Sequence, residues 1–253
     1  MWKELAARPR NDQRFLYRTL LGRSSFSARA APRKWYAVSG RYAARESFPG
    51  FFVVTSSIES YTSYTMKHPT QLSARESALL VIDVQEKLMV KIPGADLLTK
   101  NIAFLIDAAN LLEVEVAATE QYPKGLGPTV APLAQRLPNR PEKLAFSSCA
   151  VPQLLDGFRA KGRTQIVLVG IEAHVCVLNT TLDLLAAGFQ VYLVVDALGS
   201  RYAIDREIAL RRLEKAGAIV TTAETCVFEW LGGANHPQFK PISALVQARM
   251  KAI

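Results

Sequence analysis

From residue 78 onward the apolar residues fall into two alternating patterns. Short, nearly continuous apolar runs cover 78–84, 114–119, 165–171, 191–196 and 218–222. Runs of that length with no polar face predict strands covered on both sides. Between them, Leu98, Ile102, Leu105, Ala109 and Leu112 recur at helical spacing, and so do Val175, Leu178, Leu182 and Leu185. Each stripe predicts a helix laid on a sheet. Gly188 after LDLLAA and Gly217 after RRLEKA stand where helices are expected to stop, the position that favours a residue free to turn left-handed. Strand, helix and strand in succession require right-handed crossovers. The expected fold is therefore α/β: a three-layer α-β-α sandwich with a mostly parallel, Rossmann-like sheet.

Charge changes the picture at the amino-terminal end only. The chain of 253 residues carries a net charge of +9, which would suggest an acidic partner. Residues 1–65 hold eleven Lys+Arg against four Asp+Glu, a balance of +7, and residues 66–253 are left with +2. A nearly neutral body lacks the clustered basic face that phosphate binding needs, so no nucleic-acid partner is expected. Residues 1–65 are rich in Arg, Ser and Ala and show no sustained period. They read as a basic extension, a transit peptide or translated sequence ahead of a start at Met66, with the folded domain over 66–253. No apolar run approaches the length of a membrane span, so no membrane partner is expected. Three cysteines without CxxC spacing argue against a disulfide scaffold or structural zinc and for a reducing compartment. The expected location is cytoplasmic, or mitochondrial if the extension is a transit peptide.

In a parallel α/β fold, reactive groups collect beyond the carboxyl ends of the strands, where loops meet in a crevice. Asp83 closes the first run in LLVIDVQ, Lys143 lies in RPEKLAFSS, and Cys176 follows the third run in GIEAHVC. Singly, each has an ordinary reading as turn former, surface cation or small buried apolar residue. Together they supply a base, an electrostatic partner and a nucleophile. A thiol at the start of a helix faces unpaired N–H groups and the positive end of the helix dipole. An ionised sulfur is expected there.

Those same stretches, LLVIDVQ, the Lys followed by FSS, and GIEAHVCV, resemble the isochorismatase-like cysteine hydrolase family over about residues 75–240. TEQYPKGLGPT, LNTTLDLL and HPQFK are similar to its isochorismatase domain-containing protein 2 branch. The resemblance implies Cys176 as nucleophile, Asp83 as general acid/base and Lys143 as the group that holds the pair charged. It also implies a cis peptide at Ile171–Glu172, whose Glu172 N–H joins that of Cys176 in an oxyanion hole. It implies a small-molecule substrate and a homo-oligomer. Family nicotinamidases bind a metal through Asp-x-His and a further His after the second strand. This chain has ATEQYPKGLG there, so no metal and no other cofactor is expected.

The other candidates for the crevice are Gln85, two residues after Asp83, Glu120, Gln121 and Tyr122 at the end of the second run, and Phe146. Each could line a substrate pocket or simply brace a loop. His174 reads as a rim or interface residue, because adjacent helical positions point away from each other. The main functional expectation is a metal-independent hydrolase that cleaves an amide-like C–N or related carbonyl bond through a thioester. A silent scaffold of the same fold, or vinyl ether cleavage that does not need the thiol, are the rivals.

Overall fold

The computed structural model describes residues 67–251; the stretch 1–65 and Met66 lie outside the described residues. The elements run β1 (Ser77–Ile82), α1 (Glu86–Met89), α2 (Ala95–Leu111), β2 (Glu115–Gln121), α3 (Pro123–Leu126), α4 (Ala131–Ala134) and β3 (Glu142–Lys143). They continue with α5 (Leu154–Ala160), β4 (Gln165–Ile171), a π-helical turn (Ala173–Val177), α6 (Leu178–Ala186), β5 (Gln190–Gly199), α7 (Ala203–Lys215), β6 (Ile219–Thr221), α8 (Ala223–Leu231) and α9 (Phe239–Lys251). The six strands form one sheet in the order β3-β2-β1-β4-β5-β6. Every pair in it is parallel.

Side-chain alternation along the strands makes the three layers. Leu79, Val81, Val167, Val169 and Val194 join one core with Ile102, Leu105 and Ala109 of α2, Val227 of α8 and Ile242 of α9. Leu80, Ile82, Ile166, Leu168 and Leu193 join the other with Phe158 of α5, Leu184 of α6 and Leu213 of α7. A strand that is apolar at every position has both faces occupied, and each face has its own helices. The sandwich expected from the sequence is the one observed.

Two details differ from the sequence reading. The helical stripe of Val175, Leu178, Leu182 and Leu185 lies half-buried along the flank of its core. The buried stripe of α6 runs instead through Thr180, Thr181 and Leu184, continuing from Val177. Threonine can go inside here because its hydroxyl finds local partners: Thr181 donates to the Val177 carbonyl at 2.8 Å, and Thr180 accepts from the Ser148 N–H at 2.9 Å. The second difference is β3, a strand of two residues, too short to show a period.

The strand order places the crevice. From β1 the chain winds outward through β2 to β3, then returns past β1 to β4 and winds the other way to β6. The reversal leaves a gap beyond the carboxyl ends of β1 and β4. Asp83 follows the first of these strands, and the corner 172–176 follows the second.

Candidate active site

Gly170 brings the two strand ends together. It pairs with Ile82 across β1 and β4, and a Cβ on it would fall 2.1 Å from the Ile82 carbonyl oxygen. Its φ of 115° is also one that side chains resist. The next peptide bond, Ile171–Glu172, is cis. The chain then enters the π-helical turn, in which the Val177 N–H donates to the Glu172 carbonyl at 3.2 Å. This corner is pinned from outside by Arg201. Its backbone N–H donates to the Glu172 carboxylate at 3.0 Å, and its guanidinium pairs with that carboxylate at 3.0 Å.

On the opposite side, Asp83 is fully buried at φ 52°, left-handed backbone that aspartate tolerates better than most residues. Its Oδ2 accepts from Lys143 Nζ at 2.7 Å, and its Oδ1 accepts from the Thr119 hydroxyl at 2.9 Å. Thr119 lies 3.1 Å from the Ser148 hydroxyl. With the Thr119 hydrogen committed to a carboxylate, Ser148 is the donor in that pair. Lys143 is positioned by β3, which pairs with the end of β2 through Gln121 and Lys143.

Cys176 is buried near this pair: the charges of Asp83 and Lys143 both act on the ionisation of its thiol. Three buried residues separated by 60 and 33 positions thus lie near enough to influence one another's ionisation. Burial raises the Asp83 carboxyl above the ordinary carboxylate range, against the pull of Lys143 and of hydrogen bonds from Lys143, Cys176 and Thr119. Burial, joined by the charge of Asp83, pushes the Cys176 thiol up to about 12, with Lys143 pulling the other way. The ionised sulfur expected from a helix terminus is thus corrected to a protonated thiol. Desolvation and a carboxylate neighbour outweigh one ammonium, and a π-helical turn stands where the helix start was expected.

The chain matches the isochorismatase domain family model over residues 77–225. The chain belongs to the isochorismatase family. Human isochorismatase domain-containing protein 2 is 44% identical over 172 residues, covering 68% of this chain and 83% of that protein. Among solved structures, the MAR1 ribonuclease of Caenorhabditis elegans is 44% identical with a TM-score of 0.66, covering 70% of this chain and 92% of that one. The YcaC gene product of Escherichia coli, described as an octameric hydrolase of unknown specificity, is 23% identical with a TM-score of 0.62. It covers 74% of this chain and 100% of its own, and shares the fold.

The remaining candidates divide into inward and outward groups. The Gln85 amide is buried: its Oε1 accepts from the Gln121 N–H at 2.7 Å, and its Nε2 donates to the Gln121 and Gly127 carbonyls at 3.0 and 2.7 Å. Glu120 accepts from the Thr129 N–H and hydroxyl at 2.8 and 2.7 Å and pairs with Arg140 at 3.0 Å. Burial alone would raise the Glu120 carboxyl, yet Thr129 and Arg140 together hold it below the carboxylate range. Gln121 holds Lys143 Nζ on its Oε1 at 2.7 Å. These three side chains, read from the sequence as possible pocket lining, direct their polar atoms to the protein itself. Tyr122 and Phe146 are the outward pair, each at least half exposed, joined by Leu144 at 78%. His174 is partly exposed, 3.1 Å from the Ser200 hydroxyl through its Nδ1.

Thr119, Ser148, Gly170, Leu144 and Arg201 were not singled out from the sequence. Gly170 carried a signal, since a glycine inside an apolar strand marks close backbone approach. The others act through partners 23 to 36 residues away and carried none.

Proposed function

We propose that this protein is a metal-independent cysteine hydrolase acting on a small amide-like C–N or related carbonyl substrate through a thioester. The observation that carries the reading is the buried Asp83–Lys143 pair at 2.7 Å, whose charges both act on the buried Cys176 thiol. A thiol held at about 12 stays protonated until substrate arrives, and a carboxylate with a raised pKa is the stronger base waiting beside it.

In the proposed reaction, Sγ of Cys176 attacks the carbonyl carbon as its proton passes to Asp83. The Glu172 and Cys176 N–H groups face the developing oxyanion. Asp83 then protonates the leaving nitrogen, the C–N bond breaks and the acyl group remains on sulfur. Water, deprotonated by Asp83, attacks the thioester and releases the acid and the thiol. Lys143 stays charged throughout, so moving the proton from sulfur to carboxylate leaves the net charge of the cluster unchanged. Tyr122 and Phe146 form an apolar wall for the acyl or amine portion.

The test is intact-mass measurement after incubation with a mixed panel of small amides and ureides. An acyl-sized increment on Cys176, lost in Cys176→Ala together with turnover, is the expected result. Turnover that survives Cys176→Ala overturns the covalent route.

A second reading comes from the nematode relative described as a ribonuclease, similar over 92% of its length. The expectation of no nucleic-acid partner rests on charge balance alone, and that description runs against it. Labelled RNA incubated with the full chain and with Cys176→Ala separates the two readings: cleavage by both proteins favours RNA chemistry independent of the thiol. We also propose a homo-oligomer, in keeping with the octameric bacterial relative, and sedimentation velocity of the full chain measures it.

A further inference from the structure

The assignment concerns a side chain outside the reacting group and rests on the hydrolase reading above. Lys143 sits on a strand of two residues, a weak mount for a charge that must not move. Its ammonium has three hydrogens and four oxygen neighbours: Asp83 Oδ2 and Gln121 Oε1 at 2.7 Å, the Phe146 carbonyl at 2.9 Å and the Ala145 carbonyl at 3.3 Å. No N–H remains to bind a substrate. The ammonium is a fixed charge, 1% exposed, and what fixes it is the shell around it.

Of the two side-chain oxygens in that shell, the one on Gln121 is neutral. Its amide can face only one way: the oxygen meets the ammonium, and Nε2 donates to the Leu144 carbonyl at 2.8 Å. The reverse orientation would set NH2 against NH3+ and oxygen against oxygen. Gln85 in turn clamps the peptide groups of Gln121, accepting from its N–H and donating to its carbonyl, again in the only orientation its partners permit. Two buried amides therefore form a chain from the end of β1 to the ammonium on β3.

We propose that Gln121 is the positioning residue for Lys143, and that its neutrality keeps the ammonium's charge available to Asp83 and Cys176. A carboxylate at that place would be just as good an acceptor, but it would compete with Asp83 for the proton donors and add negative charge beside the sulfur. A residue of the same size without an acceptor would leave the ammonium one anchor short.

The test compares the full chain with Gln121→Glu and Gln121→Met, reading thermal midpoint and the rate of Cys176 alkylation by iodoacetamide at pH 8, mapped by peptide mass spectrometry. One unit of thiol pKa corresponds to about tenfold in thiolate fraction at fixed pH. The expected result is alkylation about tenfold slower in Gln121→Glu and about threefold slower in Gln121→Met, with the Gln121→Met midpoint close to wild type. Equal rates for the two variants would overturn the role of neutrality. If Gln121→Glu does not fold, Gln121→Met decides: wild-type alkylation at every pH overturns positioning, and slowing at an unchanged midpoint supports it. Alkylation needs neither substrate nor turnover, so a negative result here leaves the hydrolase reading standing. Failure of that reading leaves the effect on sulfur measurable.

Discussion

The two sides of the pocket are built by opposite means. The side formed by β1, β2 and β3 is a buried polar lattice: Asp83, Thr119, Ser148, Gln121, Gln85 and Lys143 are joined by side-chain hydrogen bonds of 2.7 to 3.1 Å. The side formed by β4 and α6 is made of backbone: a glycine with φ 115°, a cis peptide and a π-helical turn that set one sulfur among apolar neighbours. Charge has to be held by many partners because each buried polar group left unpaired is costly. A thiol needs no such lattice, and its side needs only a backbone that delivers it to the right place. The two sides should therefore fail differently when altered.

The largest effect is expected where they touch. Gly170→Ala forces a Cβ into the Ile82 carbonyl and should cost about 5 kcal/mol or more, read as a collapse of the urea midpoint. Next, Lys143→Met leaves Asp83 buried without its cation and should cost about 3 to 5 kcal/mol, whereas Lys143→Met combined with Asp83→Asn should recover part of it. Recovery by the double variant would show the lattice to be a matter of charge, and no recovery would point to packing.

Thr119→Val is smaller, about 1 to 2 kcal/mol, since it removes one hydrogen bond from each of two buried oxygens. It also removes a group that lowers the Asp83 carboxyl, so the acid limb of kcat/KM should move to higher pH. On the proposed mechanism that limb arises because Asp83 serves as the base, and activity is lost as pH falls through its raised value. An acid limb unmoved in Thr119→Val would detach Asp83 from it. On the alkaline side, a thiol protonated until about 12 produces no fall near the ordinary thiol value.

The smallest stability effect belongs to Cys176→Ala, within about 1 kcal/mol at neutral pH, although turnover should vanish. Its stability signature lies at high pH. The folded thiol keeps its proton longer than the unfolded one, so its contribution is present below the ordinary thiol value of 9.0 and lost as pH rises toward about 12. The fall of the melting temperature over that window should be shallower in Cys176→Ala. Parallel curves would show that the sulfur is more solvated than its burial indicates.

The same contrast governs how much could be read from the sequence. Continuous apolar runs announced the central strands, and for β4 the range 165–171 coincides with the observed bounds, because burial on both faces leaves no polar position after Gln165. Asp83, Lys143 and Cys176 were legible as reactive types near strand ends. Their surroundings were not. Thr119 is one polar residue in a strand and Ser148 one of two serines in a loop, and only folding makes them neighbours. β3 is too short for periodicity to register. The charge state of the sulfur went unread for a related reason: a helix start is a local feature visible in the chain order, while desolvation is set by everything packed around it.

The brevity of β3 has a consequence for how such an enzyme diversifies. Lys143 is held by two residue pairs aligned on the end of β2 and by the oxygens around its tip, while the intervening segment 122–141 is tied to the body through Thr129 and Val130 and buries Leu133 and Leu137. Length can change at the exposed Pro138 and Asn139 without disturbing those ties, provided the two-residue alignment survives. Variation in length and upkeep of the buried cation are thereby separable only in that exposed part of the connection.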